Sequence, residues 1–269
     1  MPWLLPKDRF NPDISSEAIV GVAGHLEGHD SGFHKHDRGQ LLFTQSGCVN
    51  IHLPNRLCML PPTRIAWIPP GIPHRAQMTG PVDYRSIYFD VTRYSGLPSV
   101  VEVMDVTPLL RAALEKIATA EFATNWETGA GANVVAVCLD EIHVAHRQPM
   151  LLPLPSDVRL STFNTNELPP LLREFAASQG ASEKTIGRIF RSQTGMSYQQ
   201  WRQQWRLLKA VELLGQGQST TSAAFDLGFA SDSAFIAFFK GMTGYTPRRF
   251  MGSTPGSTNL HGFKRWACP

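Results

Sequence analysis

Two stretches decide the fold of this chain: Phe190-Arg191-Ser192-Gln193-Thr194-Gly195-Met196-Ser197-Tyr198-Gln199-Gln200-Trp201 and Phe239-Lys240-Gly241-Met242-Thr243-Gly244-Tyr245-Thr246-Pro247-Arg248-Arg249-Phe250. Each carries an aromatic, a cation, a Thr-Gly pair, a hydroxyl residue and a second aromatic at matching positions, and every matched pair is 49 residues apart. The offset extends backwards, from Ala181-Ser182 to Ala230-Ser231 and from Ile186 to Phe235. A fixed offset over this many positions means one structural unit used twice.

Each copy reads as helix, tight turn, helix. In the first, Leu171–Ser178 is helical, Gln179-Gly180-Ala181 turns, and Ser182 caps a helix with Ile186, Ile189 and Phe190 on its inner face. In the second, Thr221–Leu227 is helical, Gly228 ends it, and Ser231 caps a helix with Phe235, Phe238 and Phe239 inward. This is the helix-turn-helix pattern, whose second helix enters the major groove of DNA. Between the copies a helix runs from about Ser197 to Leu214 with Trp201, Trp205, Leu208 and Val211 as a core stripe. Two motifs on one rigid rod can enter successive major grooves, roughly 34 Å apart along the duplex.

Charge agrees with a polyanionic partner for this half. Residues 1–150 hold 12 basic and 15 acidic side chains, whereas residues 151–269 hold 13 basic and 7 acidic ones. On helix-face grounds, Arg191, Arg202, Arg206, Lys240, Arg248 and Arg249 are expected to contact phosphates. Glu183, Lys184, Gly187, Arg188, Asp232, Ser233 and Ile236 are expected to face bases.

Residues 171–250 resemble the DNA-binding domain of the AraC/XylS family of bacterial transcription regulators. The resemblance rests on Ser182-Glu183-Lys184-Thr185-Ile186-Gly187-Arg188-Ile189-Phe190, Thr194-Gly195-Met196-Ser197, Ala224-Phe225-Asp226-Leu227-Gly228-Phe229 and Thr243-Gly244-Tyr245-Thr246-Pro247. It implies sequence-specific binding to double-stranded DNA and, by the family's habit, activation with RNA polymerase as a partner. Two departures stand out. Ala237 occupies a position where the family often has Arg, so the second motif leans more on phosphates or shape. The helix leading into the first motif also looks abbreviated, because Ser161–Pro170 holds Asn and two prolines.

The other half reads as β structure over residues 18–104, with short apolar runs (Gln40–Thr44, Val49–Leu53, Ile65–Ile68, Ser86–Val91) between Gly/Pro-rich turns. Phe33-His34-Lys35-His36, Gln40 and Gly47, then Pro69-Pro70-Gly71-Ile72-Pro73-His74, resemble the two motifs of the cupin barrel. In metal-binding cupins the corresponding four positions hold a divalent metal; here they are His34, His36, Gln40 and His74. An HxH pair on a strand puts both imidazoles on one face, and three imidazoles suit Zn, Fe, Ni or Cu. Gln40 stands where the acidic ligand belongs and is a neutral, poorer ligand. A structural or effector-contacting role is therefore favoured over a divalent metal, and no cofactor is assigned. The apolar barrel mouth is expected to take a small-molecule effector. His25, His29 and His52 fit no motif.

Thr107 and Pro108 open a helix with Leu109, Leu110, Ala113, Leu114 and Ile117 at helical spacing, and a second spans about Asn133–Arg147, with Val134, Val137, Cys138, Glu141 and Ile142 in register. The pair resembles the element through which such regulators dimerise, or else it simply covers the barrel. The chain is thus expected to be an α+β multidomain protein. The parts are a cupin-like barrel (1–105), a helical pair (106–148) for a homodimer, a linker (149–170), an all-α domain with two helix-turn-helix motifs (171–250) and a loose tail (251–269).

Composition excludes other classes. With 42% hydrophobic and 17% charged residues the chain is not disordered. It has no membrane-length apolar run and no signal peptide, so a cytoplasmic protein without a membrane partner is expected. Cys48, Cys58, Cys138 and Cys268 form no CxxC pair. No Ser/His/Asp set, P-loop or GxGxxG motif is present, and the reading is of a non-enzyme. The alternative is a cupin-type metal-dependent enzyme with a helical appendage.

Overall fold

Side chains alternate across a strand with period two, and the long strands of the N-terminal half bury both faces. The computed structural model describes all residues except 1, 6, 7, 9, 149, 161–166 and 253–269. The chain forms two compact units: residues 1–54 with 59–150, and residues 55–58 with 151–252. The N-terminal unit contains β1 (Trp3–Leu4), β2 (Ile19–Leu26), β3 (Gly39–Ser46) and β4 (Val49–Leu53). After β5 (Arg56–Leu60) come β6 (Arg64–Ile68), β7 (Arg75–Gln77), β8 (Val82–Phe89), β9 (Glu102–Asp105), α1 (Pro108–Ala118) and α2 (Gly129–Val144). A six-stranded sheet has the order β1-β2-β8-β3-β6-β9, and β4 pairs antiparallel with β7.

One face of the large sheet carries Ile19, Leu41, Phe43, Ile65, Trp67, Ile87 and Phe89, which form one core with Leu110, Leu114 and Ile117 of α1 and Val135, Cys138 and Ile142 of α2. The helical pair therefore covers the sheet. Thr107 caps α1 by accepting the Leu110 N–H at 3.0 Å, and Pro108 takes the first position. Helix α2 begins a turn earlier than its apolar pattern suggests, at Gly129, and Ala145 is already extended. The opposite face of the sheet carries Gln40, Leu42 and Thr44, registered against Tyr88, Ser86 and Tyr84. Strand β8 starts at Val82, earlier than the expected Ser86, because it is paired with β2 on one side and β3 on the other.

In the C-terminal unit, β10 (Leu151–Pro153) pairs antiparallel with residues 56–58 of β5. It is followed by a 3-10 turn, Val158–Leu160, so the stretch read as linker has regular structure in part. The helices are α3 (Leu172–Ser178), α4 (Glu183–Thr194), α5 (Tyr198–Gly215), α6 (Thr220–Asp226), α7 (Asp232–Thr243) and α8 (Pro247–Gly252). The 49-residue repeat is a repeat of physical devices. Ser182 and Ser231 cap α4 and α7 through the N–H groups of Thr185 and Ala234. Gly195 and Gly244 end those helices at φ 72° and 80°. Thr194 and Thr243 donate back to the carbonyls of Phe190 and Phe239 and accept from the N–H groups of Met196 and Tyr245. Phe190 meets Trp201 edge-on at 5.4 Å, and Phe239 meets Phe250 edge-on at 5.4 Å. The leading segment 161–166 and the tail beyond Gly252 lie outside the described residues.

Cys48, Cys58 and Cys138 are buried. No helix of the described residues is long and apolar enough to cross a membrane.

Gly21 on β2 is fixed by close approach: a Cβ there would stand 2.2 Å from the Ile117 carbonyl oxygen of α1. Gly21→Ala is expected to lower unfolding stability by about 1–3 kcal/mol through overpacking. Gly80→Ala, which meets nothing within 4 Å, is expected to stay within about 0.5 kcal/mol. Urea unfolding of the full chain, followed by near-UV circular dichroism, distinguishes them.

Candidate effector and nucleic-acid sites

The three histidines of the barrel are assembled by backbone pairing. His34 and His74 exchange N–H···O bonds of 2.9 Å in both directions, and Gly71 N–H, at φ 74°, donates to the His36 carbonyl at 2.9 Å. The two motifs, some forty residues apart in sequence, are thereby held against each other. The ligating nitrogens of His34, His36 and His74 lie within 4.8 Å of one another. His34 is exposed, whereas His36 and His74 are buried.

Backbone carbonyls fix the tautomers. Nδ1 of His34 faces the Gly32 oxygen at 3.0 Å, Nδ1 of His36 the Arg38 oxygen at 2.5 Å, and Nδ1 of His74 the Ile72 oxygen at 2.8 Å. A carbonyl accepts only, so each Nδ1 carries a proton; in His36 and His74, held neutral by burial, the lone pair is then on Nε2. Nε2 of His74 is buried with no partner among the described residues. Nε2 of His36 meets the Gln40 side-chain amide at 3.2 Å. That amide also reaches the hydroxyls of Ser86 at 2.8 Å, Tyr88 at 3.2 Å and Tyr84 at 3.4 Å. As placed, the Gln40 carbonyl oxygen faces His36 Nε2 and its NH2 donates to the three hydroxyls; an accepting Nε2 requires the amide turned over, with the hydroxyls donating to its oxygen. Burial pushes His74 down to about 4 and lowers His36, so both stay neutral at physiological pH. Burial likewise raises the phenols of Tyr84 and Tyr88.

The three imidazoles, Gln40, Tyr84 and Tyr88 line a cavity of about 830 Å3, within the range of small-molecule pockets, with Ser86 buried behind Gln40. Its walls include Leu4, Phe10, Leu26 and Met78, but Asp8, Asp13 and Glu27 also line it. The mouth is therefore mixed rather than apolar as its motifs suggest. As a donor set for a divalent metal, three convergent imidazole Nε2 atoms fit. Gln40 adds at most a neutral oxygen, and among the described residues no carboxylate joins the group.

Sequence reasoning missed Tyr84, Ser86 and Tyr88. The signal was available: three hydroxyl residues at i, i+2 and i+4 of one strand share a face, with Arg85, Ile87 and Phe89 turned the other way. Arg85 ties that outer face to α1 through an ion pair with Glu115 at 2.8 Å.

In the C-terminal unit, Glu183, Lys184, Arg188 and Arg191 are exposed along α4, and Gly187 is half-buried between them. On α7, Ser233 and Lys240 are exposed, while Asp232 and Ile236 are half-buried. Asp232 accepts the Thr221 hydroxyl of α6 at 2.6 Å, which braces the second motif. Arg248 and Arg249 are exposed on α8, with the Arg249 guanidinium 4.8 Å over the Tyr245 ring.

Arg202 and Arg206 are corrections. Each is 8% exposed, and neither is placed to meet a phosphate. Arg202 donates to the Pro169 carbonyl at 2.6 Å. Arg206 donates to the Leu227 and Gly228 carbonyls at 3.0 Å each and lies 4.0 Å over the Phe229 ring. Its cation satisfies the carbonyls left open where α6 ends, and burial holds it down to about 10. Cationic side chains on a helix ordinarily face outward, but α5 is buried nearly all round.

Residues 18–128 match the AraC-like ligand binding domain family, and residues 175–253 match a helix-turn-helix domain family. The HTH-type transcriptional regulator NimR of Escherichia coli is 28% identical over 249 residues, covering 90% of each chain. The HTH-type transcriptional regulator RipA of Corynebacterium glutamicum is 39% identical over 79 residues, 29% of this chain and 24% of that protein. A crystal structure of ToxT from Vibrio cholerae O395 aligns at TM-score 0.35 and 10% identity, covering 87% of this chain and 97% of that one.

Two outcomes follow. A histidine held neutral by burial makes the unfolded state the better proton binder, so stability is present above about 6.5 and is lost as pH falls toward 4. Between pH 7 and 4 the wild-type chain should lose about 3 kcal/mol more stability than His74→Gln, in denaturant titrations at each pH. Arg206→Met should cost about 2–4 kcal/mol by orphaning two carbonyls, while Arg191→Ala should leave stability within about 0.5 kcal/mol.

Proposed function

We propose that this chain, which belongs to the AraC family of transcription regulators, binds a specific DNA sequence through α4 and α7 and couples that binding to a small-molecule effector in the barrel cavity. The observation that carries the reading is the duplicated helix-turn-helix held on α5, because two equivalent reading helices on one buried rod have no evident use in an enzyme. Glu183, Lys184, Gly187 and Arg188 of α4 read bases, with Ser233 and Ile236 of α7. Arg191, Lys240, Arg248 and Arg249 meet phosphates. Asp232 contributes through its brace to Thr221. The effector's hydrogen-bond donors seat on the imidazole lone pairs of His36 and His74, with His34, Gln40, Tyr84 and Tyr88 completing the polar lining. Homodimerisation through α1 and α2, and contact with RNA polymerase during activation, belong to the same reading. Exposed Leu109 and Val144 on those helices support the first. The protein is read as a cytoplasmic regulator, not an enzyme.

The convergent Nε2 atoms favour one second reading, in which His34, His36 and His74 hold a divalent metal that acts as effector or co-effector. Bound there, such an ion would supply a Lewis-acidic anchor for an anionic or carbonyl group. Chelator dialysis followed by metal analysis separates the two readings. Stoichiometric metal retained by the wild type and lost in His74→Ala supports the metal.

The regulatory reading is tested by titrating the full chain against labelled intergenic DNA with excess random competitor at about physiological salt. One fragment should stay bound at least about a thousandfold more tightly than random DNA. The Arg191→Ala variant should bind it more weakly, with a salt slope reduced by about one. Loss of every fragment to competitor, with and without candidate ligands, would reject the reading.

A further inference from the structure

The two reading helices are equivalent in backbone but not in chemistry. At the 49-residue offset, Lys184 of α4 becomes Ser233 of α7, and Arg188 becomes Ala237. Gly187 becomes Ile236, and Glu183 becomes Asp232, whose carboxylate is already engaged by Thr221. Among the basic residues only Arg191 keeps its character, as Lys240. Ser233, Ala234 and Ala237 are exposed and Ile236 is half-exposed, whereas Phe238 turns back onto Phe229 at 4.9 Å. The outward face of α7 is thus mostly methyl groups.

Such a face has no fork to grip guanine and no amide to grip adenine. The base feature that small apolar side chains recognise in the major groove is the C5 methyl of thymine. Short side chains also let the helix backbone approach the groove floor closely, which brings those methyls within contact. Resting on the DNA-binding reading above, we infer that α7 reads an A·T half-site through thymine methyl groups packed against Ala234, Ile236 and Ala237. Hydrogen-bond readout is concentrated in the half-site met by α4.

The test uses the full-length protein and a duplex chosen by in vitro selection from random DNA. Arg188→Ala, which relaxes sequence preference in one half, assigns that half to α4. Thymines are then replaced by uracil, which removes only the methyl, separately in each half. Uracil in the α7 half should weaken binding roughly fourfold per contacted thymine, the worth of one buried methyl, and uracil in the α4 half should leave binding within about twofold. Ala237→Arg should shift selection in the α7 half from thymine toward guanine and abolish the uracil effect. A selected site whose α7 half tolerates uracil throughout, or is rich in guanine in the wild type, would overturn this inference alone. Failure to select any sequence would overturn the regulatory reading together with it.

Discussion

The C-terminal unit depends on how each reading helix is fastened to its neighbour. Phe190 and Phe239 stand edge-on against Trp201 and Phe250, and these contacts set where α4 and α7 lie. Each contact is followed by a threonine that closes the helix end, a glycine in the left-handed conformation and a capping hydroxyl for the next element. The aromatic contact supplies the burial and the polar devices set its direction, so neither the phenylalanine nor the Thr-Gly pair can be varied independently. Arg206 extends the same logic to the turn of the second motif, where a buried cation closes the carbonyls of Leu227 and Gly228. Long side chains on α4 stay exposed, while the arginines of α5 are committed to the fold.

The N-terminal unit depends on a different constraint, the period-two alternation of β3 and β8. One face of β8 gives Ile87 and Phe89 to the helical core, and the other gives Tyr84 and Tyr88 to the cavity and Ser86 to the Gln40 amide behind it. The same strand therefore touches the polar end of the pocket and, through Arg85, the helix α1. A ligand that moved Gln40 or the tyrosines would act on a strand whose other side is packed against α1 and α2. The carbonyl-fixed tautomers matter for the same reason: they present acceptors inward without requiring any charge to be buried.

The double motif was legible because a repeat is a comparison of the chain with itself and needs no energetic weighing. The histidine cluster was legible because its two motifs are short and their glycine and prolines dictate the turn. What escaped was whatever depends on partners distant in sequence. Tyr84 and Tyr88 belong to the pocket, and Ser86 to the support of Gln40, only because β8 pairs with β3, and a strand begun at Ser86 hides that face. Arg202 and Arg206 are buried because carbonyls of Pro169, Leu227 and Gly228 wait for them, which no helical wheel records. The acidic lining of the cavity comes from the segment before β2 and the loop after it, whose return to the barrel mouth has no local signal.

The central claim is that α4 and α7 engage one face of the same duplex in successive major grooves. Methylation interference at guanine N7, combined with hydroxyl-radical footprinting on a duplex selected by the full-length protein, tests it most directly. The account predicts two protected patches on one face of the helix, about one helical turn apart, with the guanine interference concentrated in one of them. A single patch, or two patches on opposite faces, would contradict it.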